Sequence, residues 1–261
     1  MAKTRTGVIG LLPRFMQPAM LHCAYAVRLG NWSPFGLLKP SLHEEKWPLD
    51  VWLGDAEQGK WIANRRFMLA GCDISFSRRV AWYSKEGSLQ WLRSLHGFGW
   101  MRDVLAYNDN KAGAKLLRDY VEEWLDAQKQ LHGVALEPDV IGERLANWIF
   151  HGRFLQQGGS VAFRRRFTQA CVRQALQLHK ELRKEDGVYG LPAIKGALFV
   201  ALTLPQCGFL FRAAMRALHK VLVRIEKFIE LPQGRNPLYL HHTLRDLLDM
   251  QISLYRLGGK Q

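Results

Sequence analysis

The sequence is short of several things that would place it quickly. Its four cysteines, Cys23, Cys72, Cys171 and Cys207, are far apart, and no C-x-x-C joins any two of them. That spacing argues against a zinc-finger type of metal site and against a disulfide framework, and it suits isolated buried thiols in a reducing compartment. No apolar run approaches the roughly 20 residues that span a bilayer, so no transmembrane segment is expected. There is no P-loop, no G-x-G-x-x-G after a strand, no H-E-x-x-H and no G-x-S-x-G. The nucleotide, metalloprotease and serine-hydrolase signatures are therefore missing, and neither a cofactor nor a metal is expected. Acid is the scarce charge: 23 Asp and Glu stand against 37 Lys and Arg, a formal net charge of +14. Such an excess attracts nucleic acid, anionic polysaccharide or anionic lipid. No recognised nucleic-acid motif accompanies it, so nucleic acid is not an expected partner.

What is present is the composition of a globular protein: 48% hydrophobic and 23% charged residues over 261 positions. A chain of that length buries a substantial core without staples. The N-terminus has a basic start and an apolar run that Pro13 and Arg14 cut after about six residues, short of the roughly 7–15 of a signal peptide. It reads as an amphipathic helix packed on the body, with membrane-surface binding as the alternative. The absence of a clear signal peptide predicts a cytoplasmic protein. Residues 31–60, rich in Pro, Gly and Trp, have no period and predict an irregular wrap. Residues 61–83 carry two short apolar stretches about Gly71 and predict a small hairpin.

From residue 88 the pattern is helical. SLQWLRSLHGFGWMRDVLAYND, KAGAKLLRDYVEEWLDAQKQLHG and PDVIGERLANWIFHGRFLQQGG each place apolar residues at helical spacing, and further helices are predicted at 160–185, 191–204, 208–230 and 236–257. The GFGW stretch sits inside the first of these patterns and reads as a close helix contact. The prediction is a mainly α protein in two parts, 1–87 (helix, wrap and hairpin) and 88–261 (helical array), or one continuous domain 1–261.

Candidate functional residues come from two stretches. On the third helical pattern Arg144, Trp148 and His151 recur at i, i+4, i+7, and an Arg, an aromatic and a His on one stripe suit a sugar subsite; the same stripe also holds Ile141 and Leu145, which offers Trp148 a core place instead. In GRNPLYLHHTLRDLLDM, Asn236-Pro237 is a good helix start. Tyr239 and His242 then share a face with Asp246, a set that could transfer protons or simply pair on the surface. Basic stretches at Arg164–Arg166 and at Lys180, Arg183 and Lys184 read either as solvated faces or as polyanion contacts.

"RRFMLAG", "LHGFGWMRDV", "PDVIGERLANWIFH", "LPAIKGALFVAL" and "GRNPLYLHHTLRDLLDM" occur in this order, and together they resemble the N-terminal helical half of the heparinase II/III family. The resemblance covers most of the chain. It implies an incomplete α/α toroid of helical hairpins that binds acidic, uronic-acid-containing polysaccharide such as a glycosaminoglycan. A C-terminal β-sandwich follows in that family, which this chain would meet as a separate partner. Active members are lyases that cleave by β-elimination, which implies Tyr239 as acid or base, His242 or His241 assisting, and Asn236 polarising the uronate carboxylate. Arg144, Lys195 and Arg235 become expected substrate contacts beside Trp148 and His151. Family members that work in the periplasm make that the alternative location. The chain departs from the family where Ile194-Lys195-Gly196 replaces an Asn-His, and of an S-P-x-Y-H pattern it keeps only Pro237 and Tyr239. The departures predict little or no activity in this chain. The alternative is a non-catalytic helical module that binds a polyanion or a partner in surface polysaccharide handling.

Overall fold

The structure, a computed structural model, describes residues 47–83, 86–108, 110–131, 133–185, 187–231 and 236–258. The expected N-terminal helix, most of the irregular wrap, Cys23 and Arg235 lie outside these residues. Among the described residues the chain forms ten α-helices and one two-stranded sheet. No described helix is long and apolar enough to cross a membrane.

Residues 47–55 run without regular structure into α1 (Ala56–Ala63), which the sequence pattern missed. The helix starts because the Asp55 carboxylate accepts hydrogen bonds from the Glu57 and Gln58 amides, a capping signal that the Gly- and Trp-rich surroundings obscured. The hairpin forms where expected: β1 (Arg66–Leu69) pairs antiparallel with β2 (Cys72–Ser75), with Leu69 opposite Cys72. Ala70 and Gly71 both take positive φ, 48° and 79°, as a two-residue turn of the hand that matches strand twist requires.

The continuous helix expected over 88–108 is instead two, α2 (Leu89–Gly97) and α3 (Met101–Tyr107). The break is Phe98, held in the left-handed region at φ 60°. Its ring is fully buried, stacks on Trp82 at 5.3 Å and on Trp100 at 5.0 Å, and meets the edges of Trp124 and Trp148. Aromatic packing there outweighs the cost of an unfavourable backbone angle. The later helices are α4 (Asn110–Ala127), α5 (Pro138–Phe150), α6 (Gly152–Gln156), α7 (Val161–Arg183), α8 (Leu191–Thr203), α9 (Leu210–Ile229) and α10 (Pro237–Gly258); they follow the apolar periodicity, except that the single helix expected from Pro138 to Gly158 is broken at His151 into α5 and α6. Helix α8 is the most apolar of them and the most central, packing against α5, α7, α9 and α10.

The α5–α8 crossing is unusually close. A methyl group on Gly142 would lie 2.2 Å from the Pro192 carbonyl oxygen, and one on Gly196 would lie 2.2 Å from the Gly142 carbonyl oxygen. Both obstacles are backbone, so no rotamer change relieves them. Gly142→Ala or Gly196→Ala, normally a gain in a helix, is expected here to cost at least about 2 kcal/mol through overpacking, read as a lower urea midpoint. An unchanged or higher midpoint would show that the two helices can separate freely.

Candidate functional site

Residues 138–150 turn two chemically different faces to their surroundings. Arg144, Trp148 and His151, the stripe expected to contact substrate, face the core. Arg144 is completely buried: its guanidinium donates to Gln174 Oε1 at 2.6 Å and to the carbonyls of His96 and Ala135 at 3.0 Å, and it lies over the Trp124 ring. Among the described residues no carboxylate pairs with it, and burial lowers its pKa to about 9. Trp148 is 0% exposed and meets Trp124 edge-to-face at 5.2 Å. His151 is buried with Nε2 3.6 Å from the Asp50 carboxylate, yet burial, with Arg102 adding, drives its pKa down to about 3 and keeps the ring neutral. The three are correctly read as one stripe, but that stripe is a core stripe, so the expected substrate contacts are corrected to packing residues.

An adjacent face of α5 carries Asp139, Glu143 and Asn147 at i, i+4 and i+8. They line a cleft of about 930 Å³ together with residues of the 52–55 segment, α2, α3, α8 and α10. That volume is within the range of about 300–1,000 Å³ typical of ligand sites. Trp52, Leu53, Trp100 and Val140 supply apolar wall, Arg93 and Arg245 supply cations, and His241 and His242 supply imidazoles. Asp50 ties the cleft's N-terminal wall to α3 through Arg102 at 3.2 Å, and Trp52 Nε1 ties it to α10 by donating to Asp249 at 2.7 Å. The Arg245 guanidinium lies over the Trp52 ring, 5.2 Å from its centre.

Glu143 is the group the sequence reading missed. Its carboxylate rests against the α2–α3 break: a methyl group on Gly97 would meet Oε2 at 2.8 Å, and one on Gly99 would meet Oε1 at 3.5 Å. The two glycines that flank Phe98 therefore make room for it. The carboxylate is in no ion pair among the described residues. Burial raises its pKa above the ordinary range, despite the opposing Lys195 charge. The polar i, i+4, i+8 repeat was the signal that could have found it. Asp139 is also raised by burial, against a hydrogen bond of 2.7 Å from the Gly190 amide.

Lys195, an expected substrate contact, does reach the cleft but is already engaged. Its ammonium donates to Asp246 and, at 3.3 Å, to the buried Asp249. Burial opposes its charge, and the two aspartates outweigh that and hold the pKa above the ordinary lysine range. The expected catalytic set is divided. Asn236 caps α10, its Oδ1 accepting from the amides of Leu238 at 2.9 Å and Tyr239 at 3.4 Å. Tyr239 does not line the cleft; its ring packs edge-on against Phe228. His241 and His242 are exposed at the cleft, and Asp246 pairs with Lys195 rather than with His242. The lining holds six carboxylates against four Lys and Arg, so the cleft is not a basic surface despite the net charge.

Two outcomes follow from these burials. Lys195→Met strands Asp246 and Asp249 together and is expected to cost about 3–5 kcal/mol in urea unfolding, most of it recovered when both aspartates are also made asparagine. His96 is buried, with Nδ1 accepting from Trp124 Nε1 at 3.3 Å, and burial, with Arg144 adding, lowers its pKa from 6.5 to about 3. The unfolded chain therefore takes up this proton first, so stability is full above the unfolded pKa and falls as acid is added. By about pH 5 the loss is about 2 kcal/mol, and His96→Gln is expected to remove that part of the slope.

No protein-family model, no curated protein and no solved structure matches this chain.

Proposed function

We propose that the cleft binds a uronic-acid-containing polysaccharide, in a protein whose helices form part of an incomplete α/α toroid of the heparinase II/III kind. The observation that supports this most is the polar stripe Asp139–Glu143–Asn147 set near the Trp52 indole and two arginines in one cleft. Sugar hydroxyls donate to carboxylates, while the apolar face of a sugar ring packs on Trp52. Among the described residues Arg93 is held by one partly exposed pair, with Glu137, and Arg245 lies on Trp52, so both are placed to exchange partners for a uronate carboxylate.

Binding has more support here than catalysis. β-Elimination removes the C5 proton, breaks the C4–O4 bond, forms a C4–C5 double bond and returns a proton to O4. Tyr239 was the expected carrier, and its ring lies against Phe228. Within the cleft burial favours the protonated form of Glu143, and His241 and His242 stand exposed at the same cleft. A second reading, a helical module that grips a polyanion without cleaving it, is favoured by the charge of the outer helices: α7 and α9 together carry eleven Lys and Arg against two Glu.

The test is titration of the whole chain with an oligouronate and with its carboxyl-reduced neutral counterpart. The oligouronate is expected to bind, and Arg245→Ala to weaken it by about tenfold or more, the loss of one charge-assisted pair. Tyr239→Phe should change neither binding nor the small or absent absorbance of an unsaturated product. Equal affinity for the neutral sugar would remove uronate from the reading, and a Tyr239→Phe loss of product would restore Tyr239 as the catalyst.

A further inference from the structure

The basic excess has an address away from the cleft. On α9, Arg212, Arg216, Lys220 and Arg224 recur every four residues, a step of about 6 Å along the axis. Helix α7 packs beside α9 and brings Lys180 and Arg183 to the same region. His179, on α7, feels Arg183 from its own helix and Arg216 from α9, after burial itself, and its pKa is lowered. None of these six cations has an acid partner among the described residues. Arg224 is the most occupied of them, lying 5.9 Å from the centre of the Tyr189 ring.

Apolar side chains stand among the cations. Met215, Leu222 and Val223 are 37%, 38% and 40% exposed on α9. By helical spacing Val223 sits three residues from Lys220 and four from Lys227, within the cation stripe, and Met215 and Leu222 flank it. Val188, beside Tyr189, is 89% exposed. A soluble polyanion satisfies the cations and leaves these side chains in water. An anionic bilayer satisfies both, because cations meet headgroups while apolar side chains enter the acyl boundary.

We infer that the outer face of α7 and α9 docks the protein reversibly on an anionic membrane surface. The helices lie on the bilayer rather than in it, consistent with no described helix being long and apolar enough to cross. The occupant is distinct from the cleft's ligand, and the surface works whether or not the cleft holds a sugar.

The test is flotation of the full 261-residue chain with vesicles of phosphatidylcholine alone and of phosphatidylcholine mixed with phosphatidylglycerol. Binding is expected only to the mixed vesicles and should fall steeply with salt. Arg216→Glu/Lys220→Glu/Arg224→Glu should weaken it by more than about tenfold. Leu222→Ser/Val223→Ser, which keeps every charge, should also weaken it severalfold, with circular dichroism confirming that both variants are folded. Three results overturn the inference: no flotation with mixed vesicles, equal flotation with neutral ones, or a Leu222→Ser/Val223→Ser variant that binds like the parent. In the last case full competition by a soluble polyuronate would identify the face as a polysaccharide site instead.

Discussion

The close crossing of α5 and α8 is the constraint on which the rest of the structure depends. Gly142 and Gly196 let two helix backbones approach until each occupies the space of the other's missing side chain. The residues next to them in sequence, Glu143 and Lys195, are thereby brought into one cleft. A wider separation, with side chains between the helices, would move the Lys195 ammonium from the carboxylates that offset its burial. One packing event therefore sets both the centre of the core and the charge pattern of the cleft floor.

Helix α5 shows how a single segment serves two environments. Its inward stripe buries an arginine that two backbone carbonyls, a glutamine and an indole face satisfy. The same guanidinium fills the carbonyls of the α2 end and of the turn before α5, so it joins three elements that apolar side chains alone would leave with unmet hydrogen bonds. Its outward stripe carries the carboxylates and amide of the cleft. Glu143 completes that stripe only because Gly97 and Gly99, forced into place by the buried Phe98, leave its carboxylate room.

The net charge of +14 is unevenly spread. The cleft lining carries more carboxylates than Lys and Arg, while α7 and α9 hold most of the excess on the outside. Desolvation explains the separation. A cation sunk in the cleft needs carboxylate partners, as Lys195 has, whereas exposed arginines on a helix surface need none. Total charge thus does not say which surface carries the excess.

Local chemistry was enough to determine much of this molecule. Apolar spacing of 3.6 residues located α4, the start of α5 and α7 to α10 to within a few residues, Gly71 located the hairpin, and Asn236-Pro237 located the cap of α10, because each depends on near neighbours in the chain. Tertiary structure alone decided which face of α5 met the cleft. Arg144, Trp148 and His151 and Asp139, Glu143 and Asn147 are both regular stripes on one helix, and only the position of α8, α2 and α10 around it chooses between them. It also turned Tyr239 onto Phe228 and gave Asp246 to Lys195 instead of His242, since a partner 51 residues away can outbid one four residues away once burial makes its charge more costly to leave alone. The break at Phe98 has the same origin: helical periodicity continues through GFGW, and the aromatic pocket that overrides it is assembled from Trp82, Trp124 and Trp148, which meet only in the fold.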